Sequence, residues 1–289
     1  MKIPDQGLRD GIRAALHKPA GDITVADMES LTELDVSWAV RGPNVPPIIS
    51  LEGLQTARNL RRLDLTGGLF FEVNLATSDL SPLAGLTNLT TLDISLNHLC
   101  SLTIPTGLTN LTSLYLSWNG FASLTLPAGL TSLAIVDLYC NQLTNLTISD
   151  DLSSLTYFIL YRNQLRSLTV PTGLTSLALL DLSMNPLATL VLPEPIAGHV
   201  APYVGELMRQ GVAVYLYPLE VRLVAGPPAV ADTFTFTLAG PPGTYRVQAT
   251  SDFSTWTDLD VVPNVVGSGV FTDSSVGQGH SFYRVKLVP

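Results

Sequence analysis

Five aspartates, Asp35, Asp64, Asp93, Asp137 and Asp181, recur at equivalent places in a periodic chain. Stacked in a column, such carboxylates could gather a calcium ion or could keep an exposed face wetted. The plainer second reading is adopted, and no metal ligand is assigned. The histidines, His17, His98, His199 and His280, are scattered, and no HExxH, CxxC, GxSxG or phosphate-loop pattern occurs. No catalytic residue and no cofactor is expected. Cys100 and Cys140 are too few for a disulfide framework or a cysteine-only metal site. The remaining chemistry is aromatic. Tyr115, Trp118, Tyr139, Tyr157, Ile159, Tyr161 and Arg162 fall in one short stretch of chain, and aromatic groups beside an arginine are a signature of binding hot spots.

The elements that position these side chains follow from a repeat. Asn97, Asn119, Asn141, Asn163 and Asn185 are spaced by 22 residues, within a unit that reads LxxLxLxxNxLxxLxLPxGLTxL. The LxLxx segment is a short strand with alternate residues inward, and one strand per unit stacks into a parallel sheet. Each asparagine falls where the chain leaves the strand, and its amide can both donate to and accept from the backbone of neighbouring turns. A structural asparagine ladder is the reading given to all five. Leu34-Asp-Val36 and Leu63-Asp-Leu65 match Leu92-Asp-Ile94 at a spacing of 29, so the extra residues of 39–50 and 68–79 are loops.

This unit resembles the leucine-rich repeat family, and "LEGLQTARNLRRLDL" and "LSPLAGLTNLTTLDIS" are similar to bacterial internalin-type repeats. The resemblance implies a secreted or surface protein that binds other macromolecules. "LRDGIRAALHKPAGDITVADMESLTELDVS" is similar to the helical cap that precedes such repeats. Within it, Leu8, Ile12, Ala15 and Leu16 share a helical face, and Thr24 with Asp27 forms a capping box. Beyond Pro193 a helix over 201–210 and a strand over 212–217 read as a C-terminal cap. From Pro218 onward β-branched and aromatic residues alternate. Strands are expected over 220–224, 233–238, 244–250, 255–261, 269–272 and 282–287, giving a small antiparallel sandwich. "TYRVQATSDFSTWTDL" and "FTDSSVGQGHSFYRV" resemble a module found near the C-termini of extracellular bacterial proteins, and Trp256 is expected in its core.

The predicted fold is therefore a leucine-rich repeat solenoid of seven or eight strands with a parallel concave sheet, two 29-residue repeats and a helical N-terminal cap, followed by a β-sandwich. The expected domains are a cap over 1–33, repeats over 34–198, a cap over 199–217 and an immunoglobulin- or fibronectin-like sandwich over 218–289. The net charge of −9 with only three lysines argues against nucleic acid or anionic membrane as partner. No apolar run is long enough to insert in a bilayer, and the first residues lack the apolar core of a signal peptide. The expected function is non-enzymatic binding of a protein or glycan at the surface of a bacterium, or secreted from it, through the concave face. Counting Leu89 as position 1, positions 3, 5, 7 and 8 form that face and carry the aromatic residues; the alternative is a spacer within a larger surface protein. A more remote reading rests on the back columns Ser101/Thr103, Ser123/Thr125, Asn145/Thr147, Ser167/Thr169 and Thr189/Val191, whose hydroxyl lattice is similar to that of ice-binding solenoids.

Cys100 and Cys140 lie two repeats apart at different repeat positions, beyond the reach of a disulfide. Both are expected to react with a thiol reagent in denatured protein without prior reduction. An intramolecular bridge found by peptide mass mapping would show the repeat register to be wrong.

Overall fold

The computed structural model describes residues 2–42, 45–68, 73–226, 233–274 and 282–288. His280 lies outside them. The chain forms two compact units, Met1–Ala188 with His199–Val212, and Thr189–Gly198 with Ala213–Pro289.

The first unit opens with helix α1 (Gln6–Ala15) and helix α2 (Val25–Ser30). Asp5 caps α1 by accepting the Leu8 N–H at 2.8 Å, and its other oxygen accepts the Ile49 N–H at 2.8 Å. The face of α1 that is buried consists of Gly7, Leu8 and Ile12; Ala15 is exposed and Leu16 only half-buried. The expected four-residue apolar face is thus shorter, because the helix ends at Ala15 and the chain turns away there. Thr24 and Asp27 form the reciprocal box at the start of α2, and Lys18 adds an ion pair to Asp27 at 2.7 Å. Those bonds, led by the one from Lys18, hold the Asp27 carboxyl down to about 2.

Next come β1 (Glu33–Asp35), the short helix α3 (Trp38–Arg41), β2 (Arg62–Asp64), β3 (Thr91–Asp93) and β4 (Ser113–Tyr115). They are followed by β5 (Ser123–Leu126), β6 (Ile135–Asp137), β7 (Asn145–Ile148), β8 (Tyr157–Ile159), β9 (Ser167–Thr169) and β10 (Leu179–Asp181). Seven of these make one parallel sheet in the order β1-β2-β3-β4-β6-β8-β10, as a leucine-rich repeat solenoid requires. The register is strict: Leu34, Leu63, Leu92, Leu114, Val136, Phe158 and Leu180 lie side by side, all of them buried. On the back, β5 pairs with β7 in parallel.

Between coils, the asparagine amides meet the backbone three ways. The Asn141 Nδ2 donates to the Leu116 carbonyl at 3.0 Å and to the Leu138 carbonyl at 3.1 Å, while its Oδ1 accepts the Phe121 N–H at 3.2 Å. Asn119, Asn163 and Asn185 repeat this pattern one coil before and one and two coils after. Asn97 follows it too, donating to Leu65 and Ile94 and accepting from Asn74 and Leu75. The ladder continues to Asn74, which bonds the carbonyls of Val36 and Leu65. The 29-residue spacing conceals Asn74 from a search at period 22. Its Oδ1 accepts from the Arg41 guanidinium, so a side chain of α3 stands where a backbone N–H serves elsewhere.

Two further contacts set the distance between coils. A Cβ on Gly173 would lie 1.4 Å from the Asp150 carbonyl oxygen, and one on Gly107 1.9 Å from that of Ala84. Only glycine admits this approach. Where the repeat replaces Pro-x-Gly by Ser149-Asp150-Asp151, each carboxylate bonds a neighbouring coil. Asp151 accepts the Gly129 N–H at 2.8 Å, and Asp150 accepts the Gly173 N–H at 2.7 Å and the Thr172 hydroxyl at 2.6 Å. Helix α5 (Ala201–Arg209) closes this unit and stops at Gly211, in the left-handed region at φ 90°.

The second unit holds the parallel pair β11 (Thr189–Pro193) and β12 (Ala213–Tyr217) with the short α4 (Glu194–Ala197). Two antiparallel three-stranded sheets follow. One is β13 (Arg222–Ala225), β14 (Phe234–Ala239) and β17 (Ser268–Asp273); the other is β16 (Thr257–Asn264), β15 (Gly243–Thr250) and β18 (Phe282–Val288). Their facing sides bury Phe236, Leu238, Tyr245, Val247, Val262 and Phe271. Trp256 is not in this core. It is half-buried at the surface, with the Arg284 guanidinium 4.0 Å from its ring centre and Phe253 against its edge. The reason is local: the turn before β16 winds around Asp252, whose carboxylate accepts the N–H groups of Ser254 and Thr255 and holds the indole outside.

Replacing Asn141 by leucine keeps the number of side-chain heavy atoms but strands the Phe121 N–H in a dry interior and takes one of two donors from the Leu116 and Leu138 carbonyls, which Asn119 and Asn163 still reach. At ~1–3 kcal/mol for a buried unpaired group, the variant should lose that amount of stability in urea or guanidinium unfolding. Thr125→Ala, on an exposed position of β5, should stay within ~0.5 kcal/mol of the parent. Equal midpoints for the two would mean that the asparagines do not hold the coils.

Candidate functional site

The outward face of the seven-stranded sheet is made of rows of residues fixed by the strand register. Thr91, Ser113, Ile135, Tyr157 and Leu179 form one row, and Asp93, Tyr115, Asp137, Ile159 and Asp181 the next. Beyond the strand ends come Ser95, Ser117, Tyr139, Tyr161 and Ser183, and then Leu96, Trp118, Cys140, Arg162 and Met184. The second row therefore alternates carboxylates with apolar or aromatic groups from β3 onward. Nearer the N-terminal cap it is acidic throughout, since Asp35, Asp64 and Asp93 are direct neighbours, and there Arg62 pairs with Asp64 at 3.3 Å.

The aspartates do more than solvate the face. In each, Oδ1 accepts the backbone N–H two residues on: Ser37 from Asp35, Thr66 from Asp64, Ser95 from Asp93, Tyr139 from Asp137 and Ser183 from Asp181, at 2.8–3.0 Å. Each carboxylate thus ends its strand with a side-chain turn. The second oxygen of Asp64 is the one that accepts from Arg62. Burial pushes the Asp93 and Asp137 carboxyls up, and the neighbouring charges of Asp64 on Asp93, and of Asp93 on Asp137, push the same way. Among the described residues no group of three or more His, Cys, Asp or Glu is arranged to hold a metal ion.

A left-handed residue follows the strand in every regular coil. Leu96, Trp118, Cys140, Arg162 and Met184 have φ of 61°, 54°, 55°, 58° and 57°. None is glycine or asparagine, so each position retains ~1–2 kcal/mol of backbone strain. Nothing in the sequence announces it. The compensation is that the N–H groups of Leu96, Trp118, Cys140 and Arg162 still reach the next coil, as in Trp118 to the Tyr139 carbonyl at 2.9 Å and Arg162 to that of Ser183 at 3.0 Å. The side chains then stand along one lip of the sheet, where Trp118 is 41% and Met184 68% exposed.

Four of the sequence-predicted residues form one connected cluster. The rings of Trp118 and Tyr139 meet edge to face at 5.4 Å, and those of Tyr139 and Tyr161 meet tilted at 5.3 Å. Arg162 reaches back past Cys140 to lie 5.8 Å from the Trp118 ring centre, within cation–π range. Burial raises the Cys140 thiol's pKa, with Arg162 pulling the other way. Tyr115, Tyr157 and Ile159 stand on the two strand rows instead, Tyr157 being 47% exposed. Met184 belongs to the same lip as Trp118, yet as a lone thioether it carries no sequence signal that would single it out. On the back, Ser101, Thr103, Ser123, Thr125, Asn145, Thr147, Ser167 and Thr169 are exposed, whereas Val191 is buried; the expected outward column stops short of it. Both cysteines are free thiols.

A Leucine Rich Repeat family profile matches residues 88–111 and 110–133. No curated protein sequence matches the chain significantly. Among solved structures the chain is similar to an internalin C2 of Listeria monocytogenes, at 22% identity over 74% of this chain and 93% of that one, with a TM-score of 0.39. A Listeria monocytogenes internalin-like protein matches at 19% identity over 98% and 90%, with a TM-score of 0.42. A plant ice-binding protein matches at 20% identity over 59% and 69%, with a TM-score of 0.27. No helix among the described residues is long and apolar enough to cross a membrane.

The raised Asp93 and Asp137 carboxyls make a signed prediction. An acid whose pKa is higher in the fold than in the unfolded chain favours folding below its unfolded value, and that contribution is lost as pH rises through the folded value. Asp93→Asn keeps the acceptor for the Ser95 N–H and removes the charge. The variant should be more stable than the parent at pH 7, with the gain disappearing as pH falls below the ordinary carboxylate range. A pH-independent difference in thermal midpoints would refute the assignment.

Proposed function

We propose that this leucine-rich repeat chain is a non-enzymatic binding protein, secreted by a bacterium or held at its surface, which takes a protein or glycan partner on the outward face of its seven-stranded sheet. The observation that carries the reading is the connected cluster of Trp118, Tyr139, Tyr161 and Arg162. Its rings lie outside an interior already filled by Leu114, Leu116, Val136, Leu138, Phe158 and Leu160, each fully buried. Core packing gives no reason for large aromatic groups at these outer positions. Aromatic side chains offer wide contact area at low entropic cost, and a guanidinium adds directional donors. Tyr115, Tyr157 and Ile159 extend the apolar area across β4 and β8, and Arg162 supplies a cation beside a row that from β3 to β10 carries carboxylates and no cation. The predicted domain limits, with repeats over 34–198 and a separate sandwich over 218–289, belong to the same proposal, the sandwich serving as a mount.

Trp118→Ala, Tyr139→Ala and Tyr161→Ala are each expected to weaken capture of a partner by ~2 kcal/mol or more, with smaller losses of folding stability. Affinity by titration calorimetry and thermal midpoint should be measured on the same samples. If stability falls while affinity holds, the rings are cross-strand stabilisers and the chain is better described as a spacer.

A further inference from the structure

Resting on the binding reading above, we propose that the occupant of this face is a protein segment in polyproline II conformation, lying across the strands with a lysine or arginine at every third residue. The argument begins with the row Asp93, Tyr115, Asp137, Ile159, Asp181. Adjacent strands lie ~4.8 Å apart, so its carboxylates recur every ~9.6 Å, with one aromatic or apolar group midway between each pair. Each carboxylate has Oδ1 engaged by the N–H two residues on, and the residue stands half-buried on the outward face. A polyproline II chain rises ~3.1 Å per residue with three residues per turn. Every third side chain therefore points the same way at a repeat of ~9.3 Å, close to the spacing of the carboxylates. An α-helix places same-face residues 3 or 4 apart at only ~5–6 Å, and an extended strand alternates sides at every residue. Neither matches.

The flanks of the acidic row favour the same occupant. With one of its three edges on the carboxylates, such a helix turns a second toward the row of Ile135, Tyr157 and Leu179 and the third toward Tyr139, Tyr161 and Trp118. Proline-rich segments dock on aromatic-lined surfaces in this manner, because the preformed helix loses little entropy on binding. Charge is complementary where the alternation holds. From β3 to β10 the central row carries three carboxylates and no cation, and the cation on the lip, Arg162, is already turned onto Trp118. Toward β1 the pattern ends, since Asp35, Asp64 and Asp93 are contiguous and Arg62 is paired with Asp64. The seat thus runs from β3 to β10.

The test uses the full chain and three fluorescent twelve-residue peptides: (Lys-Pro-Leu)4, a peptide of the same composition with its lysines off the three-residue period, and (Glu-Pro-Leu)4. Fluorescence anisotropy should show the first binding at least tenfold more tightly than the second, weakening at high salt, with no binding of the third. The double variant Asp93→Asn/Asp137→Asn, which keeps the strand-end acceptors, should lose at least tenfold for the first peptide with its thermal midpoint not lowered. Thr125→Tyr on the back should leave binding unchanged. Equal affinity for the first two peptides, indifference to the aspartate variant, or no binding at all overturns the proposal. A partner captured from extracts separates the two readings: if Tyr139→Ala weakens it and the aspartate variant does not, the binding face stands and the polyproline occupant falls. If neither variant alters its affinity, both fall.

Discussion

The hydrogen bonds of one buried amide per coil govern the rest of the first unit. Each asparagine side chain satisfies carbonyls in its own coil and the preceding one, and accepts an N–H where the preceding coil leaves its turn. Unpaired, those groups would each cost about as much as a good hydrogen bond gains. Paired, they let the chain turn sharply off a strand of three residues, return along the back, and arrive in register one strand further on. The aromatic lip exists because that turn is held from inside, which leaves the residue before each asparagine free to face outward. It also explains how that residue can remain left-handed without glycine.

The outer face of the sheet shows the same division of labour in its charges. An aspartate there has one oxygen bound to the backbone while the residue stands half-buried on the face. Burial disfavours its ionised form at Asp93 and Asp137, and like-charged neighbours add to that cost. A cation delivered from outside would relieve both effects. Where the coil has an apolar residue instead, at Tyr115 and Ile159, the strand end does without a side-chain acceptor. The alternation between the two is a property of this chain's own coils and does not follow from the leucine pattern.

Much of the architecture is legible in the residue order, because buried leucines at fixed intervals leave few alternatives. The strands of the repeats, the capping box at Thr24 and the order of six strands after Pro218 are read from periodicity and turn residues alone, though the limits shift by up to three residues, as where 255–261 becomes Thr257–Asn264. Asn74 and Arg41 are not, since a longer coil breaks the period that would reveal them, and the bond between them depends on how α3 is placed. Trp256 misleads for a different reason. A large apolar residue in a short sandwich is reasonably assigned to the core, but Phe236, Tyr245 and Phe271 already fill that space. At the candidate site, the face to which each aromatic belongs follows from counting residues. Which of them touch does not, because the contacts of Trp118 with Tyr139 and of Arg162 with Trp118 depend on rotamers and on left-handed backbone that the residue types do not signal.

Each regular coil is tied to its neighbours by the same few contacts: strand pairing, one asparagine, and a close approach such as that at Gly107 or Gly173. Coils of this kind are interchangeable parts. An in-frame duplication or loss of one coil's coding sequence would leave every junction chemically familiar, adding or removing a single rung together with one outward row of side chains. The gene can therefore change the length of its display surface in whole steps by unequal recombination, while the packing rules inside stay the same.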